Sequence, residues 1–281
     1  MASTQPTSYT AAPPAYDDAA ADYHATDNPS PLLTPHGAPS RGEASAGQAP
    51  DSDLPDDFKY STSVAACSVS VRNMFARKVY TILSLQLLMT GGLSTLFILN
   101  DSIKYWVQSH PAMMWVSLIG SIVLLFLTFW KRQSYPTNMM FLAGFTVLEG
   151  YSVATITTFY DARIVAEALI ITLVVFVGLT LFAMQTKYDF MSWVPYLGAA
   201  LWVMIGFGFI ALFFPYNSTA ELLYSLLGAV IFSAYILVDT QMIMKHYHPD
   251  EEIAASISLY LDFINLFLYI LRILNSTQRQ N

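Results

Sequence analysis

Residues 253–271, with the sequence IAASISLYLDFINLFLYIL, decide the fold. This stretch carries one charged side chain, Asp262, near its centre. A helix needs about 20 apolar residues to cross the hydrocarbon core of a bilayer, and this stretch approaches that length. Only helices and closed barrels satisfy the backbone in lipid, and a continuous apolar run without alternation excludes a barrel. The stretch therefore predicts a membrane-spanning helix with an acidic residue inside it.

Six further stretches share this composition. The chain has 281 residues, of which 54% are apolar and only 12% are charged, whereas a soluble domain carries about 25% charged residues. A single soluble globule is therefore excluded, and we predict an all-α polytopic membrane protein with seven transmembrane helices. The predicted spans are residues 79–99, 112–130, 138–159, 164–185, 192–214, 220–243 and 253–274.

The N-terminal part of the chain has a different composition. Nine of the 20 acidic residues lie in the first 58 positions, where Arg41 is the only basic residue. Such a segment, rich in Ala, Pro and Ser, buries too little apolar surface to offset its chain entropy. We predict a disordered acidic tail over residues 1–70 and a membrane domain over residues 71–278. The absence of a basic patch argues against a nucleic-acid partner.

The orientation follows from the basic residues near the ends of the spans, because Lys and Arg accumulate in cytoplasmic loops. A cytoplasmic N-terminus leaves only Lys104 and Arg163 on the opposite side before the last span is counted. Arg272 and Arg279 fit poorly with a full crossing of the last segment. Two alternatives therefore remain for it, a full span, which we favour, and a re-entrant segment. The basic residues placed in the cytoplasm are Arg72, Arg77, Lys78, Lys131, Arg132, Lys187 and Lys245.

Acidic residues inside the otherwise apolar spans indicate candidate functional sites, since an ionised Asp at mid-bilayer costs about 2.5–3.5 kcal/mol or more. Asp239 lies near the cytoplasmic end of the sixth span, and a short loop joins that span to the seventh. We therefore expect Asp239 and Asp262 to approach each other on antiparallel neighbouring helices. One turn before Asp239 lies Tyr235. Helical spacing places one polar stripe on the seventh span, formed by Ser258, Asp262, Asn265, Tyr269 and Arg272.

Two close carboxyl groups in a low dielectric cannot easily both be ionised, so they share a proton or bind a cation. A hard ion such as calcium prefers oxygen ligands, which this stripe offers. All five histidines lie outside the predicted spans, which argues against zinc. The alternative is that the two aspartates only tie the helices together through hydrogen bonds.

Three further features have a functional interpretation and an ordinary one. Arg132, at the end of the second span, either reaches toward the aspartates or serves only as an orientation anchor. Glu149, in the third span, is either an intramembrane proton or cation site or part of a hydrogen bond that ties helices. Pro13, Pro14 and Tyr16 have the PPxY form of a ligand for WW domains, which chance composition also explains.

Several of these stretches occur together in a known family. The sequences YILVDTQ at 235–241 and ISLYLDFINLF at 257–267 resemble the signature of the transmembrane Bax inhibitor motif, or Lifeguard, family. The resemblance covers about residues 70–278. Similarity to its Golgi anti-apoptotic branch rests on FTVLE at 145–149, TFYD at 158–161, FVGLT at 176–180 and QTKYDF at 185–190.

The resemblance implies a fold in which the last helix is central and wrapped by the other six. It also implies a pH-sensitive calcium leak through an endomembrane, of the endoplasmic reticulum, Golgi or vacuole, that restrains cell death. Calcium is then a permeant or regulatory ion, and no other cofactor is expected. The family's paired aspartates fall on Asp239 and Asp262, and the arginine that latches them in bacterial members falls on Arg132. Bacterial members have no acid where Glu149 stands.

Two other functions compete with the leak channel. One is a non-conducting scaffold that acts through apoptosis or stress-response proteins. The other is an intramembrane aspartyl protease, which also needs an aspartate on each of two neighbouring helices. Against the protease, Asp262 follows Leu-Tyr-Leu and not Gly-x-Gly, and the chain contains no Pro-Ala-Leu. We therefore expect no enzymatic activity, and a WW-domain ubiquitin ligase is the candidate partner of the tail.

Overall fold

The computed structural model describes residues 63–64, 67–131, 134–211, 213 and 218–280. Within the membrane domain these ranges fold into eight α-helices and one short 3-10 helix. The α-helices are α1 Val69–Leu99, α2 Asp101–Ser109, α3 Pro111–Trp130, α4 Thr137–Thr157, α5 Ala162–Gln185, α6 Val194–Ala211, α7 Ser218–Lys245 and α8 Glu252–Gln280. The 3-10 helix, Phe190–Trp193, leads directly into α6.

Seven of these helices are long and apolar enough to cross a membrane, namely all except α2 and the 3-10 helix, which extends the span of α6. The predicted fold class is confirmed, and the chain is an integral membrane protein. The predicted and observed ends differ most at α1, which begins ten residues before the expected position. Its first turns carry Arg77 and Lys78 on the exposed side, while Phe75 and Ala76 pack inward. The charges interrupt the apolar run but not the helix.

The short helix α2 is absent from the sequence-based prediction. The side chain of Asn100 caps it, accepting hydrogen bonds from the backbone N–H groups of Ser102 and Ile103 at 3.1 and 3.2 Å. Val107 is buried, and Gln108 Nε2 donates to the carbonyl of Thr158 at 2.9 Å. A nine-residue helix of mixed polarity is too short to show in a search for membrane spans. The local sequence signal for this helix is the capping residue Asn100.

The last helix, α8, lies at the centre of the bundle and is the most buried of the seven spans. It packs most extensively against α7, then against α1 and α5, and at fewer positions against α4. The two remaining spans lie mainly behind these, with α3 packed against α4 and α6 packed against α7. The implied central position of the last helix is therefore confirmed. Four spans supply most of the surface that surrounds it.

Polar contacts hold these helices together, since lipid provides no hydrophobic force between them. Thr90 of α1 and Tyr260 of α8 share a hydrogen bond of 2.8 Å between their hydroxyl groups. Gln241 of α7 donates to the carbonyl of Tyr188 at 2.6 Å and accepts from the backbone N–H of Phe190 at 2.8 Å. Both amide functions of one buried side chain thus fix the end of α7 to the connection between α5 and α6.

The start of α1 and the loop between α7 and α8 lie on the same side of the bundle, which we call the N-terminal side. The backbone N–H of Val64 donates to the carbonyl of Tyr247 at 2.9 Å, and Lys78 Nζ lies 3.9 Å from Glu252 Oε1. From this side α8 runs as one continuous helix of 29 residues. A re-entrant segment has to turn back within the membrane, so the structure supports a full span.

Candidate functional site

The two aspartates of the sequence analysis meet between α7 and α8. Asp239 lies six residues before the end of α7, and Asp262 is the eleventh residue of α8. Their carboxyl groups lie close enough to interact directly. Ionised carboxylates only accept hydrogen bonds, so a hydrogen bond between the two groups forms when one of them carries a proton. The other oxygen of Asp262, Oδ2, is buried without a hydrogen-bond partner, and the side chain is only 6% exposed.

Both aspartates line a cavity of about 520 Å³ that α6, α7 and α8 enclose. The polar stripe of α8 faces this cavity, as a polar stripe on a span surrounded by protein should. Arg272, the last residue of the predicted stripe, is exposed and does not line it. The remaining polar side chains in the cavity wall are Tyr224, Tyr235, Ser258, Asn265 and Tyr269.

The neutral residues nearest the pair present oxygen atoms. Tyr235 lies one turn before Asp239, and Ser258 lies one turn before Asp262. Asn265 Nδ2 donates to the carbonyl of Leu261 within its own helix at 2.8 Å. The amide oxygen of Asn265 is therefore the atom suited to a cation. The cavity combines two carboxyl groups with neutral oxygens, which is the ligand chemistry of a hard cation.

Aromatic side chains form part of the cavity wall. Tyr269 of α8 stacks on Phe232 of α7 with ring centroids 5.8 Å apart, and its hydroxyl donates to that of Tyr224 at 3.4 Å. Tyr224 in turn donates to the carbonyl of Met204 in α6 at 3.1 Å. These contacts join all three helices around the aspartates.

Tyr247, in the loop between α7 and α8, belongs to the site although sequence reasoning missed it. Its hydroxyl lies 3.3 Å from Ser258 Oγ, one turn from Asp262. Burial raises the pKa of Tyr247 to about 12, and the charges of Asp239, Glu251 and Asp262 act in the same direction. The hydroxyl therefore stays protonated near neutral pH. A loop residue has no helical periodicity, so spacing could not have placed it here.

Glu149 does not join this cavity. It lies on α4, and its Oε2 accepts a hydrogen bond of 2.8 Å from the hydroxyl of Ser121 on α3. The remaining predicted site residues, Arg132, Pro13, Pro14 and Tyr16, lie outside the described residues.

A resident metal centre with three or more protein acids, histidines or cysteines does not form within the described ranges. A calcium ion at the pair would have two carboxyl groups and would take its remaining ligands from neutral oxygens. The unpartnered Oδ2 of Asp262 is compatible with such a ligand role.

Fold and site together define a class: integral membrane proteins of seven long helices with a paired-acid cavity beside a central last helix. The model of the family described as inhibitor of apoptosis-promoting Bax1 matches residues 72–279. The chain belongs to this family.

Three relatives agree with this assignment and confirm the resemblance to the Lifeguard family. Mouse protein lifeguard 4 is 42% identical over 231 residues, which cover 82% of this chain and 97% of the relative. Bax inhibitor 1 of Schizosaccharomyces pombe is 43% identical over 226 residues, 80% of this chain and 85% of the relative. The Golgi anti-apoptotic protein of Vaccinia virus strain Lister is 39% identical over 229 residues, 82% of this chain and 96% of the relative.

Proposed function

We propose that this protein is a calcium-permeable leak channel of an intracellular membrane, gated by Asp239 and Asp262, and that it restrains cell death. The observation that carries the proposal is the cavity beside the central helix, where carboxyl groups from two neighbouring spans lie together. The names of the relatives, Golgi anti-apoptotic protein and Bax inhibitor 1, support an endomembrane location and the restraint of cell death.

In the closed state the proton shared by the two aspartates neutralises one charge and holds α7 against α8. Loss of that proton leaves two carboxylates in a poorly solvated cavity, where their repulsion favours separation of the two helices. A calcium ion entering the cavity compensates both charges and takes further oxygens from Ser258 and Asn265. By the family resemblance, Arg132 holds the pair closed from the end of α3, and its release lets α3 move.

With the N-terminus in the cytoplasm, as the basic residues predict, the aspartate pair would lie in the cytoplasmic half of the membrane. The same orientation leaves the N-terminal tail in the cytoplasm, where Pro13, Pro14 and Tyr16 would meet a WW-domain ubiquitin ligase. Binding there would control the lifetime or sorting of the protein and not the flux through it.

A second candidate is a non-conducting scaffold that restrains cell death through apoptosis or stress-response proteins. The observation in its favour is that two of the relatives are named Bax inhibitor 1 and Golgi anti-apoptotic protein, and that none of the three names mentions transport. The only feature that an aspartyl protease shares with this site is the aspartate pair itself. We therefore propose no enzymatic role.

Calcium uptake by liposomes that contain the purified full chain separates the candidates. The variants are Asp262→Asn, Arg132→Ala and, as a matched control, Asp101→Asn, which changes an exposed acid of α2. We expect flux from the wild type and Asp101→Asn, flux at the level of protein-free liposomes from Asp262→Asn, and a higher basal leak from Arg132→Ala. A folded wild type without flux would support the scaffold, and a conducting Asp262→Asn would refute the ligand assignment.

A further inference from the structure

A second acidic site lies within the membrane, between α3 and α4 and away from the aspartate cavity. Glu149 is the thirteenth of the 21 residues of α4, so several turns of helix separate it from either end. Its Oε2 accepts from Ser121 Oγ at 2.8 Å. The side chain of Glu149 is partly buried between α3 and α4, whereas Asp239 and Asp262 line a cavity between α6, α7 and α8.

Polar groups from other helices surround this position. Gln86 of α1 is 4% exposed, and its Nε2 donates to Thr146 Oγ1, one turn before Glu149, at 3.1 Å. The other amide atom of Gln86, Oε1, is buried and has no hydrogen-bond partner. An unsatisfied buried acceptor is costly in lipid, and this one belongs to a side chain bonded one turn from Glu149. A proton on the carboxyl group of Glu149 makes that group a hydrogen-bond donor as well as an acceptor.

Within the described residues, no positive charge faces Glu149. The α3 helix contains no charged residue, and the charges of α1, Arg72, Arg77 and Lys78, lie in its first turns. Of α8, the titratable side chain on this side is Tyr260, whose hydroxyl is engaged by Thr90. The charged residues of α2 are Asp101 and Lys104. The described polar contact of α2 with the end of α4 joins Gln108 to Thr158 and does not involve these charges.

An ionised glutamate without a cation partner is costly at this depth in a membrane span. Binding a proton removes that cost and keeps the hydrogen bond from Ser121. We propose that Glu149 is a second proton-binding site, independent of the aspartate pair, and that its protonated carboxyl group holds α3 on α4. The contact of Glu149 with Ser121 on α3 matters because α3 leads to Arg132.

The effect of this site on flux rests on the proposed channel function, whereas proton binding by Glu149 does not. Loss of the proton should loosen the contact between α3 and α4 and so add a second step to the pH response. The experiment below reads the proton directly and needs no transport measurement.

The probe is N,N′-dicyclohexylcarbodiimide, an apolar reagent that reacts with protonated carboxyl groups. The carboxyl oxygen bonds to the central carbon of the reagent while the acid proton moves to one nitrogen. An acyl shift from oxygen to nitrogen then gives a stable N-acylurea that retains the whole reagent. The purified full chain in liposomes is treated over a range of pH values, and the modified peptides are identified by mass spectrometry.

We expect the peptide that contains Glu149 to be modified in the wild type and in the Asp239→Asn, Asp262→Asn double variant. The modification should decrease as the pH rises and should be absent from Glu149→Gln. A second measurement is the unfolding temperature against pH. Wild-type stability should fall as the pH rises and the proton is lost, whereas Glu149→Gln, which cannot lose a proton there, should be less sensitive.

An unmodified Glu149 in a wild type whose unfolding temperature follows the same pH profile as Glu149→Gln would overturn the proposal. A modified Glu149 in a protein without calcium flux would leave the proton site standing and count against the channel alone.

Discussion

Asp239, Asp262 and Glu149 are acidic residues well inside apolar spans, and each has a polar partner on a neighbouring helix. The two aspartates use each other, and Glu149 uses Ser121. A buried acid in lipid is tolerated only when it is protonated or compensated. In the functions proposed above, the pair exchanges its proton for a cation and Glu149 holds a proton.

At the same scale, Gly228 is a position where one methyl group should matter. A Cβ added there would lie 2.6 Å from ring atoms of Tyr269, whereas a Cβ added to Gly178 would meet nothing within 4 Å. The Tyr269 ring is held by Phe232 and Tyr224, so it cannot move aside freely. Overpacking of this kind costs about 1–3 kcal/mol.

We expect Gly228→Ala to lower the unfolding temperature in detergent and to disturb the cavity wall. Gly178→Ala is the matched control, because both changes give the same gain in helix propensity, about 1 kcal/mol. Equal unfolding temperatures for the two variants would show that the Tyr269 ring yields without cost.

Among the elements, the segment before α1 stands out because it contacts the loop between α7 and α8. Val64 is fully buried in the main core and bonds to the carbonyl of Tyr247, whose ring also lies 6.5 Å from that of Phe75. The hydroxyl of Tyr247 approaches Ser258. A short segment before the first span thus supports a residue that contacts the cavity wall at Ser258.

Two truncations test this support. Deleting residues 2–58 should leave stability and reconstituted flux unchanged, since it spares Val64. Deleting residues 2–67 should cost about 1.5–3 kcal/mol, the value of one buried aliphatic side chain, and should alter the leak by freeing Tyr247. Unfolding temperature and calcium flux are measured for both proteins. If the longer deletion behaved as the shorter one, the segment would be a passive contact.

At the scale of the whole molecule, the aspartate pair lies toward the N-terminal side of the bundle. Flux should therefore respond to pH on that side and little to pH on the opposite side. Lower pH keeps the shared proton and favours the closed state, and higher pH removes it and favours opening. A change of one pH unit corresponds to about 1.4 kcal/mol per proton, enough to shift two nearly balanced states.

Liposomes with the pH varied on one side at a time provide the measurement. Asp239→Asn, which keeps the expected cation ligand Asp262, should remove most of the response of flux to pH, and any remainder should disappear with Glu149→Gln. An Asp239→Asn variant with the full wild-type pH profile would place the principal sensor outside the aspartate pair.

The sequence by itself determined the number of spans, the fold class and the polar stripe of α8. Transfer of a segment into lipid depends on the composition of that segment alone, so no tertiary information is needed to find a span. The approach of Asp239 to Asp262 was also predictable, because a short loop leaves two long helices no arrangement other than antiparallel neighbours. The family match over residues 72–279 agrees with these inferences.

Only the tertiary structure decided which helices stand behind others and which side chains complete the sites. Helix order along the chain does not reveal that α3 and α6 lie mainly outside the helices around α8. Their composition does not reveal it either, because all seven spans are predominantly apolar. The separation of Glu149 from the aspartates and the place of Tyr247 over Ser258 depend on helix rotation and loop path. These are set by packing between segments distant in sequence, which local composition does not encode.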